Sequence, residues 1–296
     1  VNQSLTNEEN SIKNQTELSP FLSDDSPITI LRPASSWYEI GWKEIWHYRE
    51  LLYFLALRDL KVRYKQSLLG AAWVLLQPIA TTVIFAVLFS RIVTTESFGV
   101  PYALFAFSGF VIWSFVNTAI SSSGNSLINH TALITKTYFP RQIIPFAAVI
   151  AHLLDLAIGL LGLIVAMIIF GVWPTGKILL APLFVILILV QVFAVGILLS
   201  ALNVKFRDIK QLLPFALQFW MFLTPVFYSL KLLPEKYVWL WKLNPLTGAL
   251  EGFRAAIFGS GFDWAAIVIS VVITIVLVVT ALLVFHRMED DFADVI

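Results

Sequence analysis

Residues 178–203 read ILLAPLFVILILVQVFAVGILLSALN, a run of 26 positions without one charged side chain. About 20 such residues, wound as a helix, cross the roughly 30 Å hydrocarbon core of a bilayer. Lipid offers the backbone no partners, and a helix supplies its own. The run is continuous, not alternating, which favours a helix over the strands of a barrel.

Five further stretches read the same way: 68–90, 102–121, 143–171, 211–230 and 264–285. The expected fold is therefore an all-α membrane protein with six transmembrane helices, occupying 67–287. Between the fifth and sixth spans, 231–263 is apolar and aromatic. It is broken by Pro234, Pro245, Gly248, Gly252, Gly259 and Gly261. Re-entrant outer helices are expected there. Two further full spans are the competing reading, disfavoured by those breakers and by Lys242, Glu251 and Arg254.

Composition agrees. Hydrophobic residues make up 58% and charged residues 13%, against about 45–50% and 25% in soluble domains. The formal charge of +1 argues against nucleic-acid binding by bulk charge. The absence of cysteine excludes disulfides, thiolate nucleophiles and Cys-ligated metals. Charge is uneven: 8 basic and 9 acidic residues lie in 1–67, but only 11 and 6 in 68–285. Residues 1–35 are polar and are expected to be disordered. They contain no apolar core of a cleavable signal peptide. Residues 288–296 form a short acidic tail.

The segment 36–66 reads as an amphipathic interfacial helix and a linker. At 100° per residue, Glu39, Lys43, His47 and Glu50 in 37–53 share a narrow polar arc, and Trp37, Tyr38, Trp42, Ile45, Trp46, Tyr48, Leu51 and Leu52 cover most of the rest. Such a helix lies along a membrane surface or packs on another protein. Arg58, Lys61, Arg63 and Lys65 precede the first span. The enrichment of Lys and Arg in cytoplasmic loops therefore places both termini in the cytoplasm, with 14 basic residues inside and 6 outside.

Chemistry-bearing residues are few. The sequence GVWPTGKI at 171–178 approaches a phosphate-cradling loop, but Ile178 replaces the Mg²⁺-holding hydroxyl. It reads as a tight loop between helices. His152 and Asp155 share a helix face. Twelve residues into its span, Asp155 is expected near the membrane midplane, where an ionisable group is costly. A hydrogen bond to His152 or to Gln191 of the next span, locking the helices, is the structural reading; a proton relay is the functional one. Glu251 and Arg254, three apart, either pin the outer hairpin or act in a gate. Aromatic residues make up 14%; they suit membrane interfaces and would also stack on sugar rings.

Four segments together resemble a known family: LALRDLKVRYKQSLLGAAWVLLQP at 55–78, LITKTYFPRQIIP at 133–145, NVKFRDIKQLLPFALQFWMFLTPVFYS at 203–229 and NPLTGALEGFR at 244–254. In order and spacing they resemble the membrane permease of polysaccharide ABC exporters, the Wzm type of O-antigen export and its teichoic-acid relatives. The resemblance implies a homodimer working with two copies of a separate cytoplasmic ATPase. That partner would bind ATP and Mg²⁺, leaving this chain without a cofactor or nucleotide site and not itself an enzyme. It implies an undecaprenyl-linked polysaccharide moved outward across a bacterial inner membrane, among membrane lipids and without nucleic acid.

By position, Thr137, Tyr138, Phe139, Pro140 and Arg141 would contact the ATPase, joined by Glu39, Lys43 and His47. Arg58, Lys61 and Arg63 would receive the pyrophosphate of the substrate, against a plain reading as positive-inside anchors. Asn203, Arg207 and Asp208 match a second inside loop. Pro225 and Tyr228 match the outer end of span five, where the proline would kink the helix, and with Glu251 and Arg254 would form the outer gate. A lipid or drug exporter is the nearest alternative. A membrane-embedded glycosyltransferase or polymerase would need more catalytic acids or bases. A secondary transporter would need internal repeats and midplane ion sites.

Overall fold

Helices make up the whole described architecture, with no strand among the described residues. In chain order they are α1 Arg49–Lys65, α2 Ala72–Phe89, α3 Tyr102–Asn129, α4 Thr131–Lys136, α5 Ile143–Ile150, α6 Leu153–Ile169, α7 Ala181–Lys205, α8 Ile209–Leu223, α9 Glu235–Lys242, α10 Pro245–Phe258 and α11 Trp264–Glu289. Short 3₁₀ turns stand at Gly176–Leu180 and Leu230–Leu232.

The structure, a computed structural model, describes residues 46–65, 70–89, 99–136, 139–206, 208–289 and 292, all within one compact unit, Ile40–Ile296. Expectations for the polar arm 1–35, for Glu39, Lys43, Thr137, Tyr138 and Arg207, and for most of the tail beyond 289 fall outside the described residues.

Five segments are long and apolar enough to cross a membrane: Ala72–Phe89, Tyr102–Asn129, Ile143–Ile169, Gly176–Lys205 and Trp264–Glu289. The expected span at 211–230 is shorter than anticipated. Its helix, α8, has 15 residues, about 22 Å at 1.5 Å per residue. Thr224 is extended, at φ −99° and ψ 137°, as the ring of a following proline requires. Pro225 therefore ends the helix instead of kinking it. The 231–263 segment holds two short helices, α9 and α10.

α3 runs past the expected end at 121 to Asn129, through SSSGNSLIN. Its polar side chains bond locally: Asn125 Nδ2 donates to Ser121 O at 2.8 Å and Ser126 Oγ to Ser123 O at 2.6 Å. α1 likewise continues beyond 53 through the basic run to Lys65, so the expected linker is helical.

Burial sorts the helices. In α3, 78% of the apolar window is buried, against 11% in α2 and 17% in α11. A helix apolar on all sides belongs in a core, and Leu104, Phe105, Val116 and Ile120 place α3 there. α2 and α11 turn Val83, Val87, Val272 and Val276 outward. Two apolar clusters result. The larger joins α3, α6, α7 and α10; the smaller joins α1, α4, α5 and the end of α11 through Leu55, Ile134, Phe139, Ile143, Phe285 and Phe292. These mark two ends of the bundle, an α1 end and an α10 end.

Candidate functional site

At the α1 end, four polar side chains converge between α1 and α6. The 143–171 stretch is not one straight helix. It breaks at Ala151–His152, so Asp155 lies in the first turn of α6, where the helix dipole favours an anion. Arg63 Nη1 donates to Asp155 Oδ2 at 2.6 Å. His152 Nδ1 lies 2.8 Å from the same oxygen, and its Nε2 lies 2.7 Å from Arg63 Nη2. Arg63 Nη1 lies 2.9 Å from the same Nδ1, so the imidazole sits between the guanidinium and the carboxylate. Tyr64 donates to Asp155 Oδ1. Burial first, and then that bond, push the Tyr64 hydroxyl up to about 12. Beside Asp155 is a cavity of about 140 Å³ between α2, α3 and α6, lined in part by Gln77, Ser114 and Thr118.

Of the two partners considered for Asp155, His152 is present and Gln191 is not. Gln191 is fully buried at the α10 end, where its Nε2 donates to Pro245 O at 3.0 Å, Ser270 Oγ at 3.2 Å and Thr274 Oγ1 at 2.8 Å. Neither Arg63 nor Tyr64 was expected to pair with Asp155, because only the fold brings α1 against α6.

The other α1 cations differ. Arg58 donates to Asp59 Oδ1 at 2.8 Å and to His130 Nε2, whose Nδ1–H in turn donates to Ser126 O at 2.8 Å. Lys61 is exposed and makes no hydrogen bond among the described residues. His47 is also exposed, its ring edge-on to Tyr48.

In the loop before α5, Phe139 is buried in the smaller cluster. The Arg141 backbone N–H donates to Glu289 Oε1 at 3.2 Å, and its guanidinium donates to Glu289 O, the last carbonyl of α11. Phe292 lies beneath that guanidinium, 5.9 Å from it, and packs edge-on against Phe285. Asn203 Nδ2 bonds Gly124 O at 2.9 Å, tying α7 to α3.

At the α10 end, Arg254 is wholly buried. Its guanidinium donates to Ser108 Oγ at 3.1 Å, Phe105 O at 3.2 Å, Glu251 Oε1 at 3.1 Å and the carbonyls of Pro225 and Val226. It also stacks on Phe105 at 3.8 Å. A Cβ on Gly109 would overlap Val226 O and the guanidinium, so glycine is what lets the loop after α8 approach α3. Tyr228 donates to Phe222 O at 2.8 Å and accepts from Trp241 Nε1 at 2.6 Å. Of the four residues expected at the outer gate, Pro225, Glu251 and Arg254 meet, while Tyr228 bonds to Phe222 and Trp241. Ser108 and Gly109 were missed, since nothing in their spacing along α3 tells them from its other small and polar residues. Lys177, in the phosphate-loop lookalike, donates to Gly259 O at 3.0 Å and Ser260 O at 2.8 Å. It caps the carbonyl end of α10.

The described residues thus combine a buried guanidinium that ties α10 to α3 with five segments long and apolar enough to cross a membrane. A family model described as "ABC-2 type transporter" matches residues 50–258. The chain belongs to the ABC-2 type transporter family. The match begins in α1 and ends at the last residue of α10, so it takes in both polar ends of this transporter. Curated relatives agree in extent. The O-antigen export system permease protein RfbA of Myxococcus xanthus is 28% identical over 255 residues, 85% of this chain and 97% of its own. Two proteins of the same name from Klebsiella pneumoniae are 28% and 26% identical, each over 249 residues, 83% of this chain and 95% of theirs.

Proposed function

We propose that this chain is the transmembrane permease subunit of an exporter that moves a lipid-linked polysaccharide, of the O-antigen kind, outward across a bacterial inner membrane. The observation that carries the reading is the near full-length similarity to permeases named for O-antigen export. Two copies of the chain work with two copies of a cytoplasmic ATPase, which binds ATP and Mg²⁺. The carrier lipid of the glycan is undecaprenyl.

In this reading the α1 end faces the cytoplasm and the α10 end faces outward. α8 serves as the fifth of six spans, completed by the chain through Tyr228, and α9 and α10 dip into the outer leaflet. α1 lies on the membrane surface, with Tyr53 and Phe54 turned outward. The loop ending in Phe139, Pro140 and Arg141 meets the ATPase, as do His47, Glu39 and Lys43. The second copy docks on outward apolar faces such as that of α8, where Leu212, Phe215, Phe219 and Phe222 recur at helical spacing and are exposed. Those rings suit the C–H faces of sugars in a pathway between the copies. Of the three cations proposed for the pyrophosphate, Lys61 is best placed, because Arg58 and Arg63 already hold partners within the chain.

ATP binding draws the two ATPase subunits together, and the inside loop and α1 carry that movement to the spans. A pathway between the two permeases then opens, and the Arg254-centred hairpin closes its outer end at rest. Co-purification with the candidate ATPase, followed by hydrolysis assays with and without lipid-linked glycan, tests the proposal. Stimulation by the glycan is expected. A preparation that binds no ATPase, or one stimulated only by drugs or simple phospholipids, would overturn it.

A further inference from the structure

Two features at opposite ends of the bundle share one helix, α11. At its α1 end, Arg141 donates through its backbone to the Glu289 carboxylate and through its guanidinium to the Glu289 carbonyl. A cation on the last carbonyl of a helix is favoured by the helix dipole. Phe292, only 1% exposed, closes the site from below, packed on Phe285 and under the Arg141 guanidinium.

Toward its other end, α11 is bolted to α10 at backbone level. Ser270 Oγ donates to Pro245 O, and Gln191 bridges Pro245 O, Ser270 and Thr274. A Cβ on Gly248 would collide with Ala266 O, so the two helices touch through their backbones. α11 itself is 26 residues without proline or glycine, about 39 Å of unbroken helix. Such a helix transmits an axial push better than a chain of loops, since an N–H···O=C bond ties each turn to the next along its axis. The same α10 carries Arg254 and Glu251.

We propose that Glu289 and Phe292 are positioning residues of energy coupling: they fix the Arg141 loop to α11, which carries that loop's displacement to the outer hairpin. The inference rests on the exporter reading, in which this loop meets the ATPase. It adds a route from the loop to the far side of the membrane that bypasses α1.

The chain has no native cysteine, so a single reporter can be placed by Gly261→Cys, where an added Cβ meets nothing within 4 Å. The permease carrying it is co-purified with its ATPase in nanodiscs, and maleimide labelling is followed with and without ATP. The parent complex is expected to change its labelling rate on nucleotide binding. Glu289→Ala and Phe292→Ala should shrink that change at least tenfold, while ATPase binding and basal hydrolysis stay within about twofold of the parent. Glu289→Gln, which keeps an acceptor for the Arg141 N–H, should restore it. A full ATP response in both alanine variants would overturn the proposal and leave the exporter reading intact. Loss of ATPase binding in either variant would place these residues in assembly and also overturn it. A parent complex without any nucleotide response would overturn the exporter reading, and this proposal with it.

Discussion

Arg63 and Asp155, 92 positions apart in the chain, meet at 2.6 Å, with side chains 32% and 12% exposed. The contact joins the end of α1 to the first turn of α6. It neutralises the acid that stood out in the third apolar stretch, and Tyr64 and His152 complete the set of donors. A carboxylate held by three donors is expected to lock α1 to α6.

Removing one partner of that pair strands the other. Asp155→Asn should cost about 2–3 kcal/mol, below the range for fully buried pairs because Arg63 is partly exposed. The double variant Arg63→Gln/Asp155→Asn should recover at least half of the summed cost. Thermal unfolding of the purified protein in detergent measures all three, and strictly additive losses would refute the lock.

Arg254→Lys keeps the charge but loses the planar fork that reaches two loop carbonyls, Phe105 O and Ser108. Buried acceptors left unpaired should cost about 3 kcal/mol or more, a Tm decrease of roughly 5–10 °C. Glu251→Gln should cost clearly less, since the guanidinium keeps its other partners. Equal losses for the two variants would contradict the arrangement.

Close backbone approach makes two glycines irreplaceable in place. Gly248→Ala, against Ala266 O, and Gly109→Ala, against Val226 O, should each destabilise by about 1–3 kcal/mol through overpacking. Gly176→Ala, where a Cβ meets nothing, is the control. Differential scanning of the three variants decides the point, with an unchanged Tm for Gly248→Ala as the adverse result.

The acid dependence of the loop between α10 and α11 has a definite sign. Burial alone would raise the Asp263 carboxyl, but Lys242 at 2.6 Å and the Ala266 N–H at 3.1 Å outweigh it and hold its pKa below the ordinary value. Its contribution is therefore present above about pH 4, where the unfolded carboxyl is ionised. It is lost as pH falls through the lowered folded value. The side chain is 40% exposed, so the effect is under about 1 kcal/mol. Asp263→Asn should flatten stability between pH 5 and about 3, and an unaltered pH profile would count against the pair.

Lys177→Met should leave nucleotide photolabelling confined to the ATPase subunit and unchanged in extent. It should instead speed proteolysis near Gly259, whose carbonyl Lys177 caps and whose φ of +78° ends α10. Labelling of the permease that depends on Lys177 would revive the phosphate-loop reading.

The run at 178–203 and its fellows fixed a helical membrane protein, because a bilayer demands long apolar stretches whatever their neighbours. The four conjoined segments at 55–78, 133–145, 203–229 and 244–254 pointed to the family, since their order along the chain is itself a signal. The Glu251–Arg254 and His152–Asp155 pairs could be read from spacing, as helical neighbours three apart. Tertiary structure alone decided that Asp155 lies in the first turn of a helix, because the break at Ala151–His152 within the Ile143–Ile169 span carries no proline or glycine to announce it. It alone brought Arg63 to Asp155, Glu289 to Arg141 and Ser108 to Arg254, and it sent Gln191 to α11. Such contacts depend on which faces of distant helices meet, and uniformly apolar helices carry no periodic pattern that encodes the choice.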